Sequence, residues 1–277
     1  MPFIQLPSGQ LHYRDAGEGS PLLLLHANPG DSRDFAAVIN ELAGHYRVIA
    51  LDWPGYGQSP LPTDPAPANV TLGFYQQVLE EFIDAMNLQG LVLVGNSVGG
   101  LCAVEYAARH QDRVIGLILV SPGGFTPHNG ISNAFCQLQG SRFSLPPSLW
   151  ARLYLNRWNS ATRAMLERAR TEQSAADTRQ LNRALWRGFL SPEGDVVKSA
   201  AQIDRPVLLM FGQHDPAISA RRDGRAASRA FSRADTLVLP CGHAAFAELP
   251  QEFCQHAMRF LRQKVSLSAE PEGQAEQ

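Results

Sequence analysis

The chain has 277 residues, 44% of them hydrophobic, and its 24 Lys and Arg against 26 Asp and Glu leave a net charge of −2. That length suits a single α/β domain with an insertion, and the near-neutral balance gives no basic footprint for nucleic acid and no polybasic membrane patch. No apolar run approaches a membrane span, residues 1–7 lack a signal-peptide pattern, and Cys102, Cys136, Cys241 and Cys254 show no metal-ligand spacing, so reduced thiols in a cytoplasmic protein are expected.

Residues 3–15 alternate in the manner of an N-terminal hairpin turning at Pro7-Ser8-Gly9. Pro21–His26 and Arg47–Asp52 read as buried strands, with a helix over Ser32–Ala43 between them. Leu72, Tyr75, Val78, Leu79, Phe82, Ile83 and Met86 recur at helical spacing and predict an amphipathic helix over 71–87. A strand over 91–95, a helix over Leu101–Arg109 and a strand over Val114–Val120 follow. From 126 to 198 there are helical segments without strand candidates, and Leu181, Leu185, Trp186 and Phe189 form one stripe. Strand rhythm resumes at Pro206.

This alternation predicts an α/β fold: a mostly parallel, doubly wound sheet with an N-terminal antiparallel hairpin. The expected division is a core of 1–125 and 199–265, a helical cap over 126–198, and a polar, disordered tail over 266–277.

The chemistry-bearing residues end strands. Leu91–Val94 feeds Gly95-Asn-Ser-Val-Gly99, a strand–turn–helix corner that holds Ser97 with its hydroxyl exposed. A serine hydroxyl is nearly inert at neutral pH and requires a base. Asp235-Thr-Leu-Val-Leu-Pro-Cys-Gly-His243 ends a late strand in that base, and Pro206–Asp215 ends another in an acid able to orient it. The candidate catalytic set is therefore Ser97, His243 and Asp215, all at the carboxyl edge of the sheet. Asp204 and Asp235 are rivals for the acid but begin strands, at the opposite edge.

The order Ser97, Asp215, His243 is that of α/β-hydrolases. The chain resembles a capped member of that superfamily over nearly its whole length. His26-Ala-Asn-Pro-Gly30 resembles the family's His-Gly-x-Pro loop, and Asp52-Trp-Pro-Gly-Tyr-Gly-Gln-Ser59 its Asp-x-x-Gly-x-Gly-x-Ser turn. The resemblance implies the α/β-hydrolase fold, no cofactor and no metal. It also implies an oxyanion hole of two backbone N–H groups, from Val98 and from Asn28, with Ala27 second to Asn28. Ala27 stands where the family has glycine. The Asn28–Pro29 bond is a candidate for cis, and His26 and Asp52 are expected to be structural.

The resulting expectation is a serine hydrolase that cleaves a carboxylic ester-type bond of a small molecule through an acyl-enzyme on Ser97. Carbon–carbon bond hydrolysis of the meta-cleavage type is the alternative, since those enzymes use a similar Gly-Asn-Ser-x-Gly-Gly elbow. Ser97 argues against haloalkane dehalogenases and epoxide hydrolases, which need an aspartate there. A non-enzymatic ligand-binding protein on the same scaffold is the third reading. The nine arginines of 126–198 outnumber its five carboxylates. They point either to an anionic substrate or to solvated helix faces. Trp150, Trp158 and Trp186 are read as core ahead of substrate wall.

Overall fold

The computed structural model describes residues 2–265; the tail predicted over 266–277 lies outside the described residues. Eight strands form one sheet: β1 (Phe3–Leu6), β2 (Gly9–Ala16), β3 (Pro21–Leu25), β4 (Arg47–Leu51), β5 (Leu91–Ser97), β6 (Val114–Pro122), β7 (Val207–Gly212) and β8 (Ala234–Leu239). They are ordered β1-β2-β4-β3-β5-β6-β7-β8. β1 with β2 and β2 with β4 pair antiparallel, and every other neighbour is parallel. The N-terminal hairpin is thus the antiparallel edge of a parallel sheet.

The parallel strands are apolar on both faces because helices cover both. On β5, Leu91 and Leu93 join one core and Val92 and Val94 the other. The first core takes Tyr75 and Phe82 of α2 (Leu72–Ala85), Leu101 and Val104 of α3 (Val98–Arg109), and Ala227. The second takes Val38 of α1 (Ala36–Ala43) and Phe253. Thr71 starts α2 as predicted, its side chain accepting from the Phe74 N–H at 3.1 Å. The helix predicted from Ser32 begins instead as a short 3-10 turn over Ser32–Phe35, capped by Asp31.

Between β6 and β7 the chain makes only helices: α4 (Gly130–Gln139), α5 (Pro147–Tyr154), α6 (Ser160–Thr171), α7 (Ala176–Gly188) and the single turn α8 (Val197–Ala200). The predicted stripe on α7 is realised, with Leu181 and Leu185 fully buried. After β7 come α9 (Asp223–Ala230), then β8, the single turn α10 (Ala245–Glu248) and α11 (Pro250–Phe260). Among the described residues no helix is long and apolar enough to cross a membrane.

Candidate active site

β5 passes directly into α3 at Ser97, whose φ of 54° and ψ of −115° lie in a region an L-residue occupies at a cost of about 1–3 kcal/mol. The neighbouring glycines make that corner possible. A Cβ on Gly99 would stand 2.3 Å from the Leu25 carbonyl oxygen, and one on Gly95 would stand 2.6 Å from Gly100 Cα. The helix therefore packs closely on the strands while the serine turns outward, half-buried, at the wall of a cavity of about 230 Å³.

His243 lines the same cavity. Its Nδ1 lies 2.6 Å from Asp215 Oδ2, and both side chains are buried. The other Asp215 oxygen accepts from the N–H groups of Ala217 and Ile218 at 2.9 and 3.1 Å. Burial pushes the Asp215 carboxyl up, but the positive charge His243 can carry, its hydrogen bond and the two N–H donors bring it below the ordinary aspartate value. An ionised Asp215 holds the proton on Nδ1 and leaves Nε2 as the free base. Among the described residues no hydrogen bond joins Ser97 Oγ to the imidazole.

Three further residues fix the histidine loop, and the sequence reading assigned them no role. Asn96 Nδ2 donates to the carbonyls of Val120 (2.8 Å) and His243 (3.1 Å), tying the elbow to that loop. Glu248 is buried, and Oε2 accepts from Gly242, Asn156 and Arg157 N–H groups at 2.8–2.9 Å while Oε1 accepts from Ala244 at 3.2 Å. Tyr154 accepts the His243 N–H on its carbonyl at 2.9 Å and sets its ring edge-on, 5.5 Å from the imidazole. The five-residue step from His243 to Glu248 was visible in the sequence. The contacts to 154–157 were not, because they join segments about ninety residues apart.

Ala27 and Asn28 line the cavity beside Ser97, and the Asn28–Pro29 bond is cis. Ala27 lies outside the positive-φ region, so alanine replaces glycine there without strain. The backbone N–H groups of Val98, Asn28 and Ala27 make no hydrogen bonds among the described residues. The Asn28 side chain accepts from the Tyr56 hydroxyl through Oδ1, while its Nδ2 is buried without a partner.

The supporting residues take the structural places expected of them. His26 Nδ1 donates to the Ala27 carbonyl at 2.7 Å and Nε2 accepts from the Trp53 N–H at 2.9 Å; burial lowers its pKa, as suits a neutral ring. Asp52 accepts from Ser32 and Gln58 N–H groups at 2.7 and 2.9 Å. Asp204 and Asp235 are exposed at the other edge and pair loosely with Arg233 and Lys264 at 3.9 and 3.7 Å. Trp150 and Trp186 line the cavity as well as packing edge-on to each other, whereas Trp158 is exposed beneath Arg152. Among the described residues no group of three or more His, Cys, Asp or Glu could hold a metal ion, and the four cysteines are unpaired.

The model of the alpha/beta hydrolase fold family matches residues 20–250. Along 96% of its length the chain is 24% identical to the 2-hydroxy-6-oxo-6-(2'-aminophenyl)hexa-2,4-dienoic acid hydrolase of Metapseudomonas resinovorans, 92% of which is covered. Among solved structures, the enol-lactonase from Burkholderia xenovorans LB400 superposes with a TM-score of 0.78 at 22% identity, covering 95% of this chain and all of that one. A thermophilic esterase from Thermogutta terrifontis gives 0.75 at 24% identity, over 94% and 97%.

Proposed function

The chain belongs to the alpha/beta hydrolase fold family, and on that premise we propose that it is a serine hydrolase cleaving carboxylic ester-type bonds of small molecules. The observation that carries this reading is the buried His243–Asp215 pair facing the same cavity as an elbow serine at positive φ.

Ser97 Oγ attacks the substrate carbonyl as His243 Nε2 takes its proton. The tetrahedral oxyanion is held by the N–H groups of Val98 and Asn28, each such donor being worth about 10²–10³ in rate. The intermediate collapses to the acyl-enzyme, and His243 returns the proton to the departing alcohol. Water then attacks the acyl carbon with His243 again as base, releasing the acid and restoring Ser97. Asp215 remains ionised and steadies the imidazolium in both half-reactions. The helices of 126–198 serve as the cap: Phe135, Trp150, Tyr154, Trp186 and Phe189 give the cavity an apolar roof that excludes water and strengthens the electrostatic terms beneath it.

One observation favours carbon–carbon bond hydrolysis as a second reading: the near full-length similarity to the dienoic acid hydrolase. It uses the same three residues, so substrate decides between the two. A fluorophosphonate probe is expected to label the wild type and spare Ser97→Ala. An unlabelled, well-folded wild type would overturn both readings. Faster turnover of 4-nitrophenyl esters of rising chain length than of a meta-cleavage dienoate supports the ester reading, and the reverse order supports the other.

A further inference from the structure

The cavity above Ser97 is walled mainly by aromatic and aliphatic side chains, yet one of its lining residues carries a permanent charge: Arg222, the residue preceding α9. Its Nε and Nη2 form a fork onto the two oxygens of Asp223, each at 2.8 Å, and Nη2 also reaches the Ala217 carbonyl at 3.3 Å. Asp223 is fully buried and accepts the Ser219 N–H at 2.6 Å as well. A structural role therefore accounts for Nε and Nη2. It does not account for Nη1, which donates to nothing among the described residues.

The guanidinium sits where a ligand would meet it. Ala217 and Cys136, the latter on α4, line the same cavity, and the Ala217 carbonyl is within 3.3 Å of Nη2. Its side chain is 41% exposed, so the guanidinium can be reached from solvent. The arginines of 126–198, by contrast, face elsewhere. Arg168 bonds Asp31 and Asp34, Arg183 bonds Ser144, Arg187 bonds the Gly140 and Ala68 carbonyls, and none of the nine lines the cavity. Of the two meanings of that positive charge, solvated and structural faces hold for 126–198, and a cation does face the cavity from outside it.

Resting on the serine-hydrolase reading of the same site, we propose that Arg222 is a specificity residue for substrates with a free carboxylate. The preferred substrate is a monoanionic ester whose apolar body lies along Phe135, Trp186 and Phe189 while its carboxylate accepts from Nη1. The carboxylate adds to that hydrogen bond an ion-pair attraction that a neutral amide of the same shape, which can only accept, lacks. Arg222 fixes which end of the substrate enters first; it takes no part in the bond-breaking steps.

Two measurements test this, one without turnover. In Ser97→Ala protein, 4-phenylbutyrate is expected to bind at least tenfold more tightly than 4-phenylbutyramide by calorimetry, and adding Arg222→Gln is expected to remove that preference. In protein with Ser97 intact, kcat/KM for the mono-4-nitrophenyl ester of adipic acid is expected to exceed that for its primary-amide analogue by tenfold or more. That ratio should collapse toward unity in Arg222→Gln through KM, and Arg222→Lys should fall between. Because Arg222→Gln strands the buried Asp223 carboxylate, Arg222→Gln/Asp223→Asn provides a second variant without an unpaired charge. Equal binding of acid and amide by Ser97→Ala, or a selectivity ratio unchanged in both variants, would overturn the role of Arg222. Failure of the hydrolase reading is separate: it shows as no turnover of the neutral ester and no fluorophosphonate label, and the calorimetry still judges Arg222.

Discussion

Among the described residues are two buried histidine–aspartate pairs of nearly the same geometry. His12 Nδ1 lies 2.7 Å from Asp52 Oδ2, and His243 Nδ1 lies 2.6 Å from Asp215 Oδ2. A serine stands beside the first pair too: Ser59 Oγ accepts the His12 N–H at 2.9 Å and donates to the Asp52 carbonyl at 2.7 Å. The first pair nevertheless builds a strut, binding β2 to the turn after β4 and to the start of the 3-10 turn at Ser32. His12 Nε2 is sealed in the interior without a partner, under the edge of Phe3. At His243 the ring borders a cavity and shares it with a serine that the backbone has turned outward. A cavity beside the ring and a strained elbow serine separate the second pair from the first.

Substitutions at the second pair should strike rate, and those at the first should strike stability. Ser97→Ala and His243→Gln are expected to lower kcat on 4-nitrophenyl esters by about 10⁴ or more with little change in melting temperature. His12→Gln should instead lower the melting temperature and leave kcat of the folded protein within about threefold. Equal rate losses at both histidines would break the comparison. Asp215→Asn comes next, at roughly 10³–10⁴ in kcat, because the imidazole loses the partner that sets its tautomer. Its counterpart Asp52→Ala should cost about 3 kcal/mol, read from the urea midpoint, because several buried donors lose their acceptor.

A smaller effect is the pH dependence. The Asp215 carboxyl in the folded protein lies below its ordinary value of 3.8. The stability it contributes is full above that value and is lost as pH falls through the lower, folded one. Asp215→Asn should therefore lower the melting temperature near neutrality and flatten part of its fall below about pH 4, so that variant and wild type converge in acid. A wild-type and variant difference that persists unchanged down to pH 2 would contradict the shift. Asn96→Ala is the mildest case. It unpairs the Val120 and His243 carbonyls and should cost about 1–3 kcal/mol, with a loss in kcat far smaller than that of Asp215→Asn.

The parts of the molecule legible in the sequence are those whose signal is local. Parallel strands buried on both faces are short continuous apolar runs, so β3, β5, β6 and β7 stood out. The positions of Ser97 and Asp215 followed because each closely follows such a run, and that of His243 because it follows the short apolar stretch Leu237-Val-Leu239. α9 was not legible: its buried residues are Asp223, Gly224 and Ala227, which leave almost no apolar stripe to read. Arg222 and Glu248 were missed for a different reason. Each looks like an ordinary charge near a helix start, and only the folded chain shows that one borders a cavity while the other gathers four backbone N–H groups. Charge counting over 126–198 did not single out Arg222, since composition does not report which side chains border a cavity.

Trapping the covalent intermediate tests the account most directly. On mixing with a 4-nitrophenyl ester, the wild type should release a burst of nitrophenolate equal to the enzyme concentration, and acid-quenched protein should carry the acyl mass on the peptide containing Ser97. Steady turnover with that peptide unmodified, or a burst that survives in Ser97→Ala, would contradict it.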